Sequence, residues 1–536
     1  MDITLAYAIG LGGLLFLLIL MNFRQWLLLG WKKVVPLSLK YFVYPQIRHR
    51  LTGAWHPAGV IAGLLYSGVN VFCVCFKVHS VGVAGLRAAN LSLINLIPLM
   101  AGPHLSFPAD LLGVTLRTYR RFHRSLGLMS SALLGFHVLT VLVEKKPFPL
   151  QISENLFGLI GTISLGILVP LSHPLLRRPF YEVFLRLHQT LAITATYSIW
   201  SHLKESHSLP QKYIYVTMGI FLLTILVQCG LIVYQTGVVG NGFARVKITN
   251  IKEMLNREHV IIQQEVMTLQ VRLTSPVLVK PGQYICLWIP WFGLLQSHPF
   301  VITSWSDESL ESMDIFVEPR DGLTRKLLRY SDSSRGSGTL HKALFSGPHG
   351  TTVPAGTYET VLMMADGFGV VSHLSYLKQL IHGYNACKIR TRRIHLVWQL
   401  ETKDLGYAAA DLLNDALVGD TLSVDNGTDD MSDEKSAKGK ILSISVYIRW
   451  ASQDRVPFGS GRRAIAYSGL ADVEAIFKEE AAGKYIKRVQ EESGERGEML
   501  VMVSGSNDLR DRLRRLVRPL ADKKVRLEEL EYQPGD

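Results

Sequence analysis

The stretch HRSLGLMSSALLGFH, His123–His137, decides how the whole chain is read. It lies inside an apolar run at about 117–143, long enough for a bilayer-spanning helix, which needs roughly 20 mostly apolar residues. Between its two histidines, about 14 residues of helix rise about 21 Å and make nearly four turns, so both imidazoles project from almost one face, one toward each leaflet. The same separation returns in HQTLAITATYSIWSH, His188–His202, within a second apolar run. Ionisable side chains are costly in lipid and mark functional paths. Four neutral imidazoles in two facing pairs are what two six-coordinate haems require. A single buried histidine would be read as a helix-bonding or interface residue; the matched quartet His123, His137, His188 and His202 favours metal ligation. His49, His56, His79, His104 and His173 have no partner at this spacing and are read as ordinary polar residues.

Outward from these segments, the 536 residues are 48% hydrophobic and 19% charged, with the apolar residues gathered before position 236. Seven candidate spans are visible, at about 4–21, 58–78, 85–102, 117–143, 155–172, 180–204 and 212–236. No basic residue precedes the first and no small-residue cleavage site follows it, so it reads as a helix and not as a signal peptide. Basic residues cluster in alternate connections: Arg24, Lys32, Lys33, Lys40, Arg48 and Arg50, then Arg117, Arg120 and Arg121, then Arg177 and Arg178. The positive-inside rule puts those connections in the cytoplasm, the N-terminus outside and everything after 236 inside. The spans that carry the two histidine pairs then run in the same direction, so His123 faces His188 and His137 faces His202. The net charge of +13 is on this reading a topology signal, and without a basic patch interleaved with aromatics no nucleic-acid partner is expected. The five cysteines, Cys73, Cys75, Cys229, Cys286 and Cys387, have no ligand-like spacing, which argues against a zinc site or disulfide framework.

After residue 236 short alternating runs such as ARVKITNI and PGQYICLWIP, separated by glycine and proline, predict a small antiparallel barrel over 237–357. From 358 to the end, buried-looking strands alternate with helical segments, which predicts a doubly wound parallel sheet. A polar insertion at 405–440, containing DNGTDDMSDEKSAKGK, reads as a mobile loop. The RDGLT turn offers a glycine and a threonine able to cap a helix, leaving backbone N–H groups for a phosphate. ADGFGVVSH, between a strand and a helix, is a candidate pyrophosphate seat, with an ordinary strand-to-helix turn as its rival reading.

The four-histidine array, the AANLSLINLIPLMAG segment at 88–102, and HPF, DGLT and GPHG in that order resemble the fungal ferric-chelate reductases, within the wider ferric reductase and NADPH oxidase family of flavocytochromes b. The resemblance implies a seven-helix transmembrane haem bundle over 1–236, an FAD-binding barrel over 237–357 and a ferredoxin reductase-like NADPH domain over 358–536. It implies that His298, Pro299, Phe300, Val301, Ile302, Thr303 and Ser304 line the flavin, that Gly322, Leu323 and Thr324 approach its diphosphate, and that Gly347 and Gly350 complete the flavin site. Val301 stands where the family often has a hydroxyl residue, so Thr303, Ser304 or the backbone would replace that hydrogen bond. The family's Gly-Gly-x-Gly-Ile turn is present as Asp366-Gly367-Phe368-Gly369-Val370, its Cys-Gly-Pro as Ser504-Gly505-Ser506, and its Gly-Arg-Pro as Gly461-Arg462-Arg463. Gly367, Gly369, Ser504 and Gly505 are thereby implied to meet the dinucleotide, and Arg462 its adenosine 2′-phosphate. Tyr532 falls near the place where relatives end on an aromatic covering the flavin.

The expectation is a multi-pass plasma-membrane reductase passing electrons from cytoplasmic NADPH through FAD and two b-type haems to a ferric chelate or cupric ion outside. No side chain is expected to act as general acid or base. Three rivals share these residues: a superoxide-generating oxidase, a specialised metalloreductase of a metabolite pathway, and a haem-binding subunit without catalysis.

Overall fold

The computed structural model describes residues 3–23, 31–49, 53–144, 147–177, 179–204, 209–237, 242–251, 264–293, 296–320, 322–331, 339–420, 440–450, 454–486, 497–522 and 524–533. The DNGTDDMSDEKSAKGK tract up to residue 439, with Asn426, lies outside the described residues. The chain divides into two compact units, Met1–Leu28 with Ile47–Leu231, and Leu29–Gln46 with Ile232–Asp536.

The first unit is helical: α1 (Ile3–Phe23), α2 (Pro57–Cys75), α3 (Val81–Leu99), α4 (Leu116–Val143), α5 (Ser153–Leu171), α6 (Tyr181–Leu203) and α7 (Leu209–Gln235), the last of which runs a few residues beyond the unit's boundary. Their starts follow from local chemistry. Ser80 accepts the Val83 N–H at the head of α3, Thr115 accepts the Thr118 N–H at the head of α4, and Pro57 opens α2 where no N–H is needed. Five of them, α2, α3, α4, α5 and α7, are long and apolar enough to cross a membrane, and the protein is a membrane protein. α1 contributes a shorter apolar stretch, Ile3–Leu18. α6 falls outside the five because Glu182, Arg186, His188 and Gln189 crowd its first half.

Polar side chains tie several of these helices together. Asn95 donates to Asn70 at 3.0 Å and receives the hydroxyls of Tyr66 at 2.8 Å and Tyr7 at 3.2 Å, which joins α1, α2 and α3. Ser92 and Ser130 each donate to the other's backbone carbonyl, at 2.8 and 3.0 Å, locking α3 to α4. Cys73 packs as an apolar group among Ala84, Ala88 and Leu91.

The second unit begins with six antiparallel strands, β1 (Ala244–Asn250), β2 (Met267–Val277), β3 (Tyr284–Trp288), β4 (Ser297–Val301), β5 (Leu310–Val317) and β6 (Leu340–His349), in the order β4-β3-β6-β1-β2-β5. The Thr303 N–H donates to the Asp314 carbonyl at 2.9 Å, so the segment after β4 also reaches β5 at the other end of that order. Alternate residues Val246, Ile248, Leu269, Val271, Ile285 and Leu287 form the core.

A seven-stranded sheet follows, with β7 (Thr360–Asp366), β8 (Arg393–Leu400), β9 (Leu442–Ile448), β10 (Arg455–Phe458), β11 (Ala464–Ser468), β12 (Met499–Ser504) and β13 (Val525–Glu529). Its order is β10-β11-β9-β8-β7-β12-β13, parallel throughout except for β10. The chain therefore switches direction across the sheet on either side of β7, between β8 and β12. The first part of the 405–440 insertion is folded and not a mobile loop: Ala410–Gly419 is a helix whose Leu413 and Leu417 are buried.

One segment departs from its expected place. Residues 29–46, read from the sequence as a basic connection between membrane helices, belong to the second unit. Tyr44 packs with Leu39 and Val43 against the Leu513, Val517 and Leu527 core, and its hydroxyl accepts the Leu527 N–H of edge strand β13 at 3.0 Å. Lys40 pairs with Asp522 at 2.8 Å. Burial pushes the Tyr44 hydroxyl up to about 12, so it stays a neutral partner. Covering an edge strand removes an exposed row of backbone groups. Tyr44→Phe leaves the Leu527 N–H without its acceptor and is expected to cost about 1–3 kcal/mol, read as a lowered unfolding temperature of the second unit.

Candidate functional site

All four predicted ligand histidines lie on α4 and α6, as their spacing requires. α4 packs along α3 and α6 along α5, and each histidine helix leans on that neighbour more closely than on the other. The rings of His123 and His188 nonetheless face each other with centroids 6.0 Å apart. Metal–imidazole bonds of about 2 Å on opposite sides of one metal place two ring centroids about 6 Å apart, so this pair fits a shared iron.

The other pair is oriented by backbone. Nδ1 of His137 lies 3.1 Å from the Gly85 carbonyl and Nδ1 of His202 lies 2.8 Å from the Glu154 carbonyl. A carbonyl only accepts, so both Nδ1 atoms carry the proton and both Nε2 atoms keep a lone pair for a metal. This is the outer hydrogen bond that a metal-bound imidazole characteristically makes. Nδ1 of His188 is buried without a hydrogen-bond partner among the described residues. On these grounds the four residues fit two haems. Glycines make the seats: a Cβ at Gly158 would stand 2.9 Å from Nδ1 of His202, and one at Gly85 would collide with Thr140.

In the antiparallel sheet, β4 pairs with β3 so that Val301 lies opposite Tyr284, and Tyr284 lies opposite His349 on β6. The His298–Ser304 segment and the Gly347–Gly350 turn are thus gathered on either side of β3. Their side chains divide differently from expectation. Phe300 and Ile302 point into the core, while Val301 is also buried. The Thr303 hydroxyl donates to the Asp314 carbonyl at 2.8 Å and the Ser304 hydroxyl accepts the Asp314 N–H at 3.0 Å. Each hydroxyl thus makes one bond to β5, Thr303 as donor and Ser304 as acceptor, which leaves the Ser304 O–H proton and the Thr303 lone pairs for a further partner; His298 and Pro299 are half-buried.

Thr324 is likewise not a helix cap. The helix α8 (Leu323–Ser331) starts before it, and its hydroxyl bonds back to Arg320, accepting the N–H at 2.7 Å and donating to the carbonyl at 2.8 Å. Leu323 is in the core, and Gly322 keeps a positive φ of 89° at the turn. Tyr532 lies over Arg320 at 5.5 Å, receives its guanidinium at 2.8 Å and donates to Glu318 at 3.1 Å. The C-terminal aromatic is thereby fastened beside the RDGLT turn.

The parallel sheet brings Gly367, Gly369, Ser504 and Gly505 together at the carboxyl ends of β7 and β12, on one side of the switch around β7. In open α/β sheets ligands bind in that crevice. Gly369 passes so close to Ser504 that a Cβ there would overlap the Ser504 carbonyl, and a Cβ at Gly505 would stand 2.5 Å from that of Asp366. Gly367, at φ 53°, faces open space. Its carbonyl is held by the buried Trp398 indole at 2.8 Å. The tight helical turn Gly367–Val370 runs straight into the helix α9 (Val371–Asn385), whose Val371 N–H bonds back to the Phe368 and Gly369 carbonyls, so the start of this continuous helix is the glycine turn itself. The Ser504 hydroxyl is fully buried without a partner among the described residues. The antiparallel sheet reaches the same place: Phe316 of β5 meets Phe368 with ring centroids 5.9 Å apart, and the Gly282 N–H donates to Ser375 at 3.2 Å.

Arg462 does not join this set. It precedes β11, whose Ala464 pairs with Ile444 near the start of β9, so it stands at the amino ends of the strands, the far edge of the sheet. Its neighbour Arg463 is turned inward onto the buried carboxylate of Asp420 at 2.8 Å and onto the Leu417 carbonyl. Asp420 also accepts the Ile441 and Leu442 N–H groups, yet burial still pushes its carboxyl above the ordinary range. Gly461-Arg462-Arg463 is a structural turn, and the expectation that Arg462 meets an adenosine 2′-phosphate is corrected. What the sequence reading missed are Glu401 and Arg449, each the first residue past the carboxyl end of a strand, β8 and β9; the signal was their position directly after HLVWQL and SISVYI.

Residues 84–199 match the family described as ferric reductase like transmembrane component, and residues 251–353 match the FAD-binding domain. The chain is similar to ferric reductase transmembrane component 3 of Saccharomyces cerevisiae, with 25% identity over 291 residues, 53% of this chain and 38% of that protein. It is similar to the ferric/cupric reductase transmembrane component 2 of the same yeast, with 24% identity over 336 residues, 61% of this chain and 44% of that one. A probable cell surface ferric reductase, kap2, of Aspergillus oryzae is 23% identical over 266 residues, 48% of this chain and 34% of that one. The chain thus spans less than half the length of these curated relatives.

Proposed function

With the chain related to the ferric reductases through both its histidine helices and its flavin sheet, we propose that it is a transmembrane oxidoreductase drawing on cytoplasmic NADPH to reduce a ferric chelate or cupric ion across the membrane. His123 and His188 would hold one haem and His137 and His202 the other, with the membrane part over 1–236, the flavin part over 237–357 and the dinucleotide part over 358–536. The chemistry these groups supply when bound is hydride acceptance and one-electron release by FAD, and one-electron conduction by b-type haems.

The rest is placement by the protein. The Gly85 and Glu154 carbonyls fix the tautomer of His137 and His202 and raise the basicity of their free nitrogens. The glycine turn that opens the helical stretch running into α9 would receive a pyrophosphate, while the Phe316–Phe368 contact brings the flavin sheet to the same crevice. No group is needed as acid or base. The basic connections assign these soluble parts to the cytoplasm, and the cell surface relative is consistent with the plasma membrane.

The observation that carries this reading is the facing of His123 and His188 at 6.0 Å together with the carbonyl-fixed rings of the second pair. The test is an anaerobic absorbance titration of the purified protein. NADPH is expected to bleach a flavin band and raise two low-spin b-type signals, which ferric chelate then discharges. Superoxide without Fe(II), measured in air, would reject the metal acceptor in favour of dioxygen. An unbleached flavin would reject catalysis in favour of a haem-binding subunit.

A further inference from the structure

In a doubly wound sheet the carboxyl end of the second strand carries the group that tells the two nicotinamide dinucleotides apart: an acidic side chain takes the ribose hydroxyls, or a nearby arginine takes the 2′-phosphate. Here that strand is β8, next to β7 on the side away from β12. It ends at Leu400 and is followed by Glu401. The adjacent β9 ends at Ile448 and is followed by Arg449. The Arg449 N–H continues the ladder to the Leu400 carbonyl at 2.9 Å, which sets both side chains on one rim. There the Arg449 guanidinium donates to the Glu401 carboxylate at 3.0 Å. Both are open to solvent, 44% and 74% exposed. Trp450, 76% exposed, lies under the guanidinium at 5.8 Å. Arg455, opposite Tyr467 on the antiparallel edge strand, adds a second exposed cation to the same rim.

This pair has both halves of the discriminating chemistry in one place. An exposed ion pair is weak and is readily exchanged, whereas a phosphate dianion meets a guanidinium in a bidentate, charge-assisted arrangement. We propose that the Glu401–Arg449 pair sets dinucleotide choice: Arg449 receives the adenosine 2′-phosphate after leaving Glu401, and Glu401 accepts the ribose hydroxyls when no phosphate is present. The assignment rests on the dinucleotide reading above and replaces Arg462 as the phosphate receiver. It follows that discrimination is moderate, because the carboxylate that must be displaced also repels the phosphate.

The test uses the full chain in detergent with two probes, adenosine 2′,5′-bisphosphate and 5′-AMP, and reads the ratio of their dissociation constants. Arg449→Gln is expected to weaken the bisphosphate by about tenfold or more while leaving 5′-AMP within about twofold. Glu401→Gln is expected to shift the ratio toward the bisphosphate by up to about fivefold. Arg462→Gln should leave the ratio where it was. A fold defect would weaken both probes alike and leave the ratio unchanged. If the ratio is the same in wild type, Glu401→Gln and Arg449→Gln while each variant still binds 5′-AMP within about twofold of wild type, or if Arg462→Gln collapses it, the assignment is wrong. If wild type prefers 5′-AMP but the two variants still move the ratio in the stated directions, the pair is the selector and it is the NADPH reading that fails.

Discussion

His202→Leu is expected to remove one of two b-type haem signals and to stop delivery of electrons to an external ferric chelate, while NADPH still bleaches the flavin. The expectation follows from position. His202 sits near the end of α6, its Nδ1 proton given to the Glu154 carbonyl of α5, so the nitrogen left for a metal is Nε2. Leucine keeps the bulk and the helix but has no donor atom, and the second unit has its own core and is untouched. His137→Leu should give the same spectrum, since its ring is fixed in the same way by Gly85. A second variant separates ligation from simple misfolding. Gly158→Ala puts a methyl carbon 2.9 Å from Nδ1 of an intact His202, which is expected to perturb that same signal and spare the His123–His188 one. Retention of both signals in the leucine variants would remove these residues as ligands.

Gly369→Ala is expected to weaken dinucleotide binding by about 10- to 100-fold with the flavin content preserved. The added methyl would occupy the space of the Ser504 carbonyl, which is backbone at the end of a central strand and has no rotamer to escape into. Overpacking of this sort costs about 1–3 kcal/mol, and applied to the bound geometry alone that is on the order of 10- to 100-fold in affinity. The measurement is NADPH-driven bleaching of the flavin band, with dithionite as the control that the flavin is present. Gly367→Ala makes the contrast, because its Cβ would face open space and meets only the unfavourable positive φ. Equal losses at both positions would mean that the turn is sensitive to any side chain and that the Gly369–Ser504 approach is not what holds it.

Much of the candidate site is legible in the residues themselves. The separation of His123 from His137 and of His188 from His202 is fixed by helical rise and by the cost of polarity in lipid, both of which act locally along the chain. The order of elements after 236 is legible for the same reason, since alternation and glycine punctuation report strands and turns directly. Thr303, Ser304 and Thr324 show where such reading stops. A hydroxyl in a motif is as ready to bond a neighbouring strand as a cofactor, and which it does depends on the residue across from it, here Asp314 or Arg320. Tyr44 shows it too, as nothing in LKYFVYP says that its partner is Leu527, nearly five hundred residues away.

The sequence by itself determined the membrane helices, the paired imidazoles and the alternation that builds a parallel sheet, because each is a periodicity written into neighbouring residues. Tertiary structure alone decided which end of that sheet a given side chain occupies. Gly461-Arg462-Arg463 and Glu401 with Arg449 are equally polar, equally close to strands and equally plausible on paper. Only the shared direction of the parallel strands, with the chain reversing its path across the sheet on either side of β7, puts the first group at the amino edge and the second at the carboxyl edge where a dinucleotide can lie.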